Sequence, residues 1–169
     1  MTRLACLIAL LWSVPAAAAD QDRPSAGDLS LSFGLPGGGN DTLDAAAGVW
    51  GMVSDRVNLG INVGFGLDPE DDQPLDLALV PAVRVYLNED GRVAPFVLGE
   101  ARLAISDNEA AGFDGRLRVA GGLGGEVWLI DELSIAGHVG LAVDLIRGTG
   151  RSPALGTFTS GLTLNLYLR

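Results

Sequence analysis

Two long runs of alternating residues limit the fold of this chain more than any other feature of its sequence. From Leu117 to Leu129, and again from Leu133 to Leu145, most odd-numbered positions are aliphatic, whereas the even-numbered positions carry glycine, small residues and charges. Successive side chains of a strand point to opposite faces, so this period predicts two long strands. Between them, Asp131–Glu132 predicts a tight turn.

The polar face of these two strands is rich in glycine, which indicates that it does not face bulk water. The exposed strand face of a soluble protein usually carries longer polar side chains, and glycine at such positions weakens the strand. Glycine is useful where backbones crowd together, as in the lumen of a narrow barrel whose apolar face points into lipid. The alternation therefore predicts a membrane barrel.

The first 19 residues have the features of a cleaved secretory signal peptide. Arg3 precedes an apolar core from Leu4 to Trp12, and Ala17–Ala19 form a small-residue cleavage site. The apolar core is too short to serve as a membrane helix. We therefore expect residues 1–19 to direct export and then to be removed.

The exported chain is expected to have a short lead and one domain. Residues 20–27 are polar and predict a flexible lead, and residues 28–169 are expected to form the barrel. The single cysteine, Cys6, lies in the signal segment. Its removal leaves no disulfide and no thiolate metal ligand, and the sequence predicts neither a metal site nor a cofactor.

Six further segments show the alternation of a strand, which makes eight strands in all. Long and short connections follow one another along the chain, with turns at Ser54–Arg56, Asn88–Arg92 and Asp131–Glu132. The long connections are expected at Pro36–Asp41, Asp68–Pro74, Ser106–Gly115 and Arg147–Ala154, and a bulge is expected at Pro81. This pattern predicts an all-β fold, an eight-stranded antiparallel up-and-down transmembrane β-barrel with short periplasmic turns and longer extracellular loops.

Two segments carry a resemblance to a known family. These segments are Pro95–Gly99 and Trp128–Ser134. Through them, and over nearly its whole exported length, the chain resembles the small eight-stranded outer-membrane barrels of the OmpA and OmpX type. The resemblance implies an outer-membrane location in a Gram-negative envelope, contact with membrane lipid and lipopolysaccharide, insertion by the barrel-assembly machinery, and a monomer. Positions similar to the insertion signal of such families are Thr159, Gly161, Leu164 and Leu166, whereas Arg169 stands where these families have an aromatic.

The charges at inward-facing positions predict an ion network that fills the lumen. A barrel of eight strands holds side chains and little else, and buried charges persist only when they are paired. Taking the Asp131–Glu132 turn as the hairpin axis places Arg118 near Asp144 and Glu126 near His138. The predicted network comprises Asp76, Arg84, Glu100, Arg102, Arg118, Glu126, His138 and Asp144. The alternative is a narrow gated pore in which Glu100, Arg102, Arg118 and Glu126 exchange partners.

The composition excludes or disfavours several other functions. The net charge of −10 disfavours nucleic acid as a partner. His138 is the only histidine and has no serine beside it, so we expect no enzymatic activity. Contacts with lipopolysaccharide phosphates or bridging cations are expected from Asp68, Glu70, Asp71, Asp72, Arg147 and Arg151.

The same alternation also permits a barrel with its two faces exchanged. In a soluble secreted β-barrel the leucines would line a cavity that binds an apolar ligand, and the polar face would point outward. The glycine-rich polar face disfavours this fold. The membrane barrel further predicts an aromatic girdle facing lipid, formed by Phe33, Trp50, Phe65 and Phe158.

Overall fold

Eight strands account for most of the chain in the computed structural model, which describes residues 23–34, 45–66, 76–108, 112–147 and 154–168. The strands are β1 (Leu29–Gly34), β2 (Ala45–Ser54), β3 (Val57–Gly66), β4 (Asp76–Tyr86), β5 (Val93–Asn108), β6 (Gly112–Ile130), β7 (Leu133–Arg147) and β8 (Ala154–Leu168). Among the residues described, no helix is long and apolar enough to cross a membrane.

The strands form a closed barrel in which every strand is antiparallel to the next. Each pairs with its neighbours in the sequence, and β1 closes the barrel by pairing with β8 from Leu29↔Leu168 to Gly34↔Thr163. The predicted eight-stranded up-and-down barrel is thus confirmed as a fold. We call the end with the connections β2–β3, β4–β5 and β6–β7 the turn end, and the opposite end the loop end.

Two local predictions about the strands were wrong. Residues 106–115 were expected to form a long loop, but β5 and β6 stay paired as far as Asn108↔Gly112. Ladder hydrogen bonds come from the backbone and do not require apolar side chains. The bulge expected at Pro81 is absent from the described β3–β4 ladder, where Pro81 pairs with Ile61 in register. The β4–β5 ladder runs from Leu77↔Ile105 to Tyr86↔Phe96 in one register and has no pair at Val80 or at Pro81, whose nitrogen carries no hydrogen.

The two faces of the wall differ as the alternation requires. Even-numbered side chains of β1 to β7 and odd-numbered side chains of β8 point inward. Most aliphatic side chains of every strand point outward, and Leu98 is a buried exception. Leu123, for example, is 63% exposed and Leu141 is 68% exposed. This orientation excludes the inverted barrel with a leucine-lined cavity.

The apolar core lies inside the barrel, toward the turn end. Tyr86 packs edge-on against Phe96 with ring centroids 6.0 Å apart, and Trp128 lies 6.1 Å from Tyr86 and 6.2 Å from Tyr167. Trp50 belongs to this core with 3% exposure, so its predicted place in the lipid-facing girdle was wrong. Phe33 does face outward, whereas the side chains of Phe65 and Phe158 lie outside the described part of the structure.

Several glycines of the inner face lie opposite large side chains. Four pairs of directly opposed residues join a large side chain to a glycine on the adjacent strand: Trp50↔Gly60, Asn62↔Gly48, Phe96↔Gly124 and His138↔Gly161. In each pair, a Cβ added to the glycine would overlap the partner's side chain. The opposing side chain therefore lies flat over the glycine backbone, and this arrangement lets eight strands enclose several aromatic rings.

Candidate functional site: the charged lumen

Glu126 on β6 is the centre of the polar network inside the barrel. Its side chain is fully buried, so the carboxylate depends on protein donors in place of water. The Tyr86 and Tyr167 hydroxyls donate to it over 2.6 and 2.8 Å, the Asn165 amide donates over 3.0 Å, and the Ser134 hydroxyl also donates. Four strands, β4, β6, β7 and β8, are therefore joined through one side chain.

Arg84 on β4 supplies the positive charge beside this carboxylate. Its Nη1 lies 3.5 Å from Glu126 Oε2, and the two side chains are only 4% and 0% exposed. The guanidinium also lies over the ring faces of Trp50, 4.1 Å from the centroid, and Phe96, at 5.2 Å. Aromatic faces attract a cation most strongly when water is excluded, so these rings replace part of the lost hydration of Arg84.

A second ion pair lies on the inner face further toward the loop end. Arg118 on β6 is directly opposite Asp144 on β7, and its Nε donates to Asp144 Oδ1 over 2.6 Å. The side chains are 23% and 15% exposed, so water reaches this pair and not the Arg84–Glu126 pair. The more exposed pair, Arg118–Asp144, has the shorter nitrogen–oxygen distance of the two.

The predicted pairing of Glu126 with His138 is wrong by two residues on β7. Glu126 pairs with Ala136, and His138 pairs with Gly124. Strict symmetry about the turn would pair Glu126 with Gly137, and an irregularity between Trp128 and Ile130 shifts the register by one residue to Ala136. His138 instead lies with its ring over Gly161 of β8.

The remaining predicted site residues divide into two groups. Glu100 and Arg102 lie at inward positions of β5, are partly buried and make polar interactions. The side chain of Asp76 lies outside the described part of the structure. The same is true of every residue expected to contact lipopolysaccharide, namely Asp68, Glu70, Asp71, Asp72, Arg147 and Arg151.

The sequence reasoning did not include four residues that bind Glu126. Tyr86, Ser134, Asn165 and Tyr167 all occur at the polar parity of their strands. Considering only side chains that ionise near neutral pH omitted these hydroxyl and amide donors. A search for every hydrogen-bond donor at the inward parity would have found them.

The network holds the charge of Glu126 among protein hydrogen-bond donors. The Glu126 oxygens are occupied by donors, and no group of three metal-ligating side chains occurs among the described residues. Several buried atoms nearby have no hydrogen-bond partner in the described structure: Asn58 Oδ1 and Nδ2, Arg84 Nε, Trp128 Nε1 and Asn165 Oδ1. The chemistry of the site is therefore that of a packed polar core.

Comparison with solved structures supports the fold. The barrel is similar to the N-terminal β-barrel domain of Pseudomonas aeruginosa OprF, with a TM-score of 0.62 and 10% sequence identity over 86% of this chain and 100% of that chain. It also matches Neisserial surface protein A (NspA), with a TM-score of 0.49 and 8% identity over 84% of this chain and 93% of that one. No family model and no curated protein sequence matches the chain. The resemblance to small eight-stranded barrels is thus confirmed at the level of the fold.

Proposed function

We propose that this protein is an integral outer-membrane barrel with a structural or surface-interaction role in the cell envelope. The observation that carries the proposal is the aliphatic outer wall, to which every strand contributes exposed leucine, valine or isoleucine. Soluble monomers rarely expose a continuous apolar surface of this extent. A lipid bilayer accepts such a wall, and the closed ladder leaves no unpaired backbone edge in the hydrocarbon.

The proposed function includes a lumen that side chains close. Glu126, Arg84 and the aromatic rings fill its turn-end half, and all of them are buried. Opening a water path there would require several hydrogen bonds to break together. A structural network therefore has more support than the narrow gated pore in which charged residues exchange partners.

The envelope role assigns the contacts of the protein to its two exposed surfaces. The outer wall meets lipid, and the loop residues Asp68, Glu70, Asp71, Asp72, Arg147 and Arg151 are proposed to meet lipopolysaccharide and its bridging cations. The barrel-assembly machinery is the proposed partner during insertion. A closed barrel offers no free strand edge for pairing, which favours a monomer, and the occupied Glu126 carboxylate favours a protein without enzymatic activity.

Gel mobility with and without heating tests the membrane barrel. A closed membrane barrel resists detergent until it is heated, so the protein from purified outer membranes should migrate differently before and after boiling. Recovery in the soluble fraction with no mobility change would contradict the proposed location.

Single-channel recording in planar bilayers tests the closed lumen separately. We expect no steady conductance steps from the pure protein that shows the gel shift. Steady steps from that material would reject the closed lumen and support the gated pore, while leaving the membrane barrel intact.

A further inference from the structure

A short segment before β1 folds across the turn end of the barrel. This N-terminal segment, residues 23–28, is joined to the β2–β3 hairpin by three backbone donors. Gly27 N donates to Met52 O over 2.7 Å, Met52 N donates to Asp28 O over 2.9 Å, and Ala26 N donates to Asp55 Oδ1 over 3.3 Å. Its position is therefore fixed by hydrogen bonds near its C-terminal side.

Arg23, at the start of this segment, reaches the aromatic core. Its guanidinium carbon lies 4.7 Å from the ring centroid of Trp128 and 5.4 Å from that of Tyr86. Nη1 donates to the backbone oxygen of Asn88 over 3.0 Å and also approaches Asn88 Oδ1 at 3.4 Å. Pro24 is buried beside it. One side chain from outside the barrel wall thus covers two rings of the lumen.

The two Asn88 oxygens that accept hydrogen bonds from Arg23 are neutral. Burial lowers the pKa of this guanidinium, and the nearby Tyr86 and Glu126 oppose that effect only in part. The group remains charged and loses hydration when it docks. Ring faces and neutral oxygens offset this loss less completely than a direct carboxylate partner does, so undocking is accessible.

Gly27 lies in a tight turn, residues 25–28, in which Asp28 N donates to Ser25 O over 3.0 Å and Ser25 N donates to Asp28 Oδ2 over 2.8 Å. Its φ is +101°, a conformation that L side chains rarely adopt, and an added Cβ there would meet no atom within 4 Å. Arg23 and Pro24 precede this turn, whereas the hydrogen bonds within the turn and to the β2–β3 hairpin involve residues 25–28. Arg23 can therefore leave the rings while the barrel ladder stays intact.

We propose that the N-terminal segment is a latch that closes the turn end of the lumen, with Arg23 as the closing side chain and the Ser25–Asp28 turn as its anchor. When Arg23 is docked, Trp128 is covered; when it undocks, water reaches the rings from the turn end. This inference deepens the closed lumen of the proposed function and rests on it. It assigns part of the closure to a segment outside the eight strands.

Quenching of Trp128 fluorescence by acrylamide tests the latch. The full chain would be expressed with Trp12→Phe and Trp50→Phe, purified from membranes, and compared with the same protein carrying Arg23→Ala. We expect Arg23→Ala to raise the quenching constant of Trp128 about threefold. The substitution removes the side chain that covers the Trp128 ring, and the segment loses a desolvated cation–π contact. Arg23→Lys should lie between the two, because lysine keeps the charge and loses the planar guanidinium.

Arg56→Ala is the matched control. Arg56 is also at the turn end and also loses one positive charge, but its partner is the exposed Glu89, 2.6 Å away. It should leave the quenching of Trp128 unchanged. Equal quenching in the Arg23→Ala and Arg56→Ala proteins would overturn the latch.

The heat-dependent gel shift of the same samples separates the two proposals. A protein that shows the shift but no response to Arg23→Ala rejects the latch alone, whereas a protein without the shift rejects the membrane barrel. If Trp50→Phe prevents folding, the comparison is repeated with Trp50 present. The difference between the two arginine variants then still reports Trp128, because Trp50 contacts Arg84 and not Arg23.

Discussion

The inner and outer faces of the barrel wall use the same residue types for different reasons. On β6, Gly124 points inward, and an added Cβ there would overlap the Phe96 ring. Gly125 points outward, and an added Cβ would meet no atom within 4 Å. Glycine is therefore required inside by a neighbour and merely permitted outside. Charge follows a similar rule, since Glu126 is tolerated inside because its oxygens are occupied by donors.

Replacing the central carboxylate should give the largest loss of stability. Glu126→Ala leaves Arg84 as an unpaired buried charge and removes the acceptor of two tyrosine hydroxyls. We expect the free energy of unfolding to fall by about 3–5 kcal/mol. Urea titration of the protein in lipid vesicles, followed by the gel shift, measures this change.

Glu126→Gln is the control for shape in that experiment. It keeps the volume of the side chain and one acceptor oxygen while removing the charge, so its loss should be smaller than that of Glu126→Ala. A loss below about 1 kcal/mol for Glu126→Ala would show that the donors find other acceptors, and the inner face would then not depend on this carboxylate.

A charge placed on the outer face should cost nearly as much, but only at mid-wall. Leu123 is 63% exposed and lies centrally on β6, so Leu123→Arg places a guanidinium toward the lipid hydrocarbon. We expect a loss of about 2–4 kcal/mol in vesicles. Ile130→Arg is the matched control, because Ile130 is also exposed but ends β6 at the turn end, where the loss should be about 0–1 kcal/mol. Equal losses at the two positions would contradict a membrane-embedded wall.

The alternation in the sequence was sufficient to predict the wall but not its interior packing. Parity alone placed Leu123 outside and Glu126 inside, because a strand has a fixed period of two. Parity could not place Trp50, because alanine and glycine blur the alternation in β2 and do not show which face points inward. The inward position of Trp50 depends on Gly60, the glycine directly opposite it. That pairing depends on register, which the sequence specifies only through contacts across strands.

Register also explains the error at His138. A one-residue shift beside the β6–β7 turn moves the pairs from Trp128↔Ser134 to Arg118↔Asp144, and nothing in the alternation of Trp128 to Ile130 marks it. The Arg118 and Asp144 positions stay opposed because their expected pairing already differed from the symmetric axis by one residue. Charges at inward positions were therefore identifiable from the sequence, whereas their partners required the ladder.

Adding one methyl group to each glycine of β6 tests the rule for glycine directly. Gly124→Ala forces the Phe96 ring and the neighbouring backbone to move, and overpacking of this kind costs about 1–3 kcal/mol. Gly125→Ala adds the same methyl group to open space on the outer face and should leave stability unchanged or slightly raised. Urea unfolding of the two variants in vesicles provides the comparison. Similar losses for both would mean that strand propensity, and not the Phe96 contact, determines the glycine.

The smallest effect is expected at the ion pair that water reaches. Asp144→Asn removes the charge beside Arg118, but the two side chains are 15% and 23% exposed, so water compensates part of the loss. We expect a cost of about 1 kcal/mol or less.

Salt distinguishes this pair from the buried one. In about 1 M salt, where the screening length is about 3 Å, the cost of Asp144→Asn should shrink. The cost of Glu126→Gln should persist, because Glu126 is fully buried. A cost of Asp144→Asn that is as large as that of Glu126→Gln and insensitive to salt would show that the loop-end half of the lumen is as dry as the turn-end half.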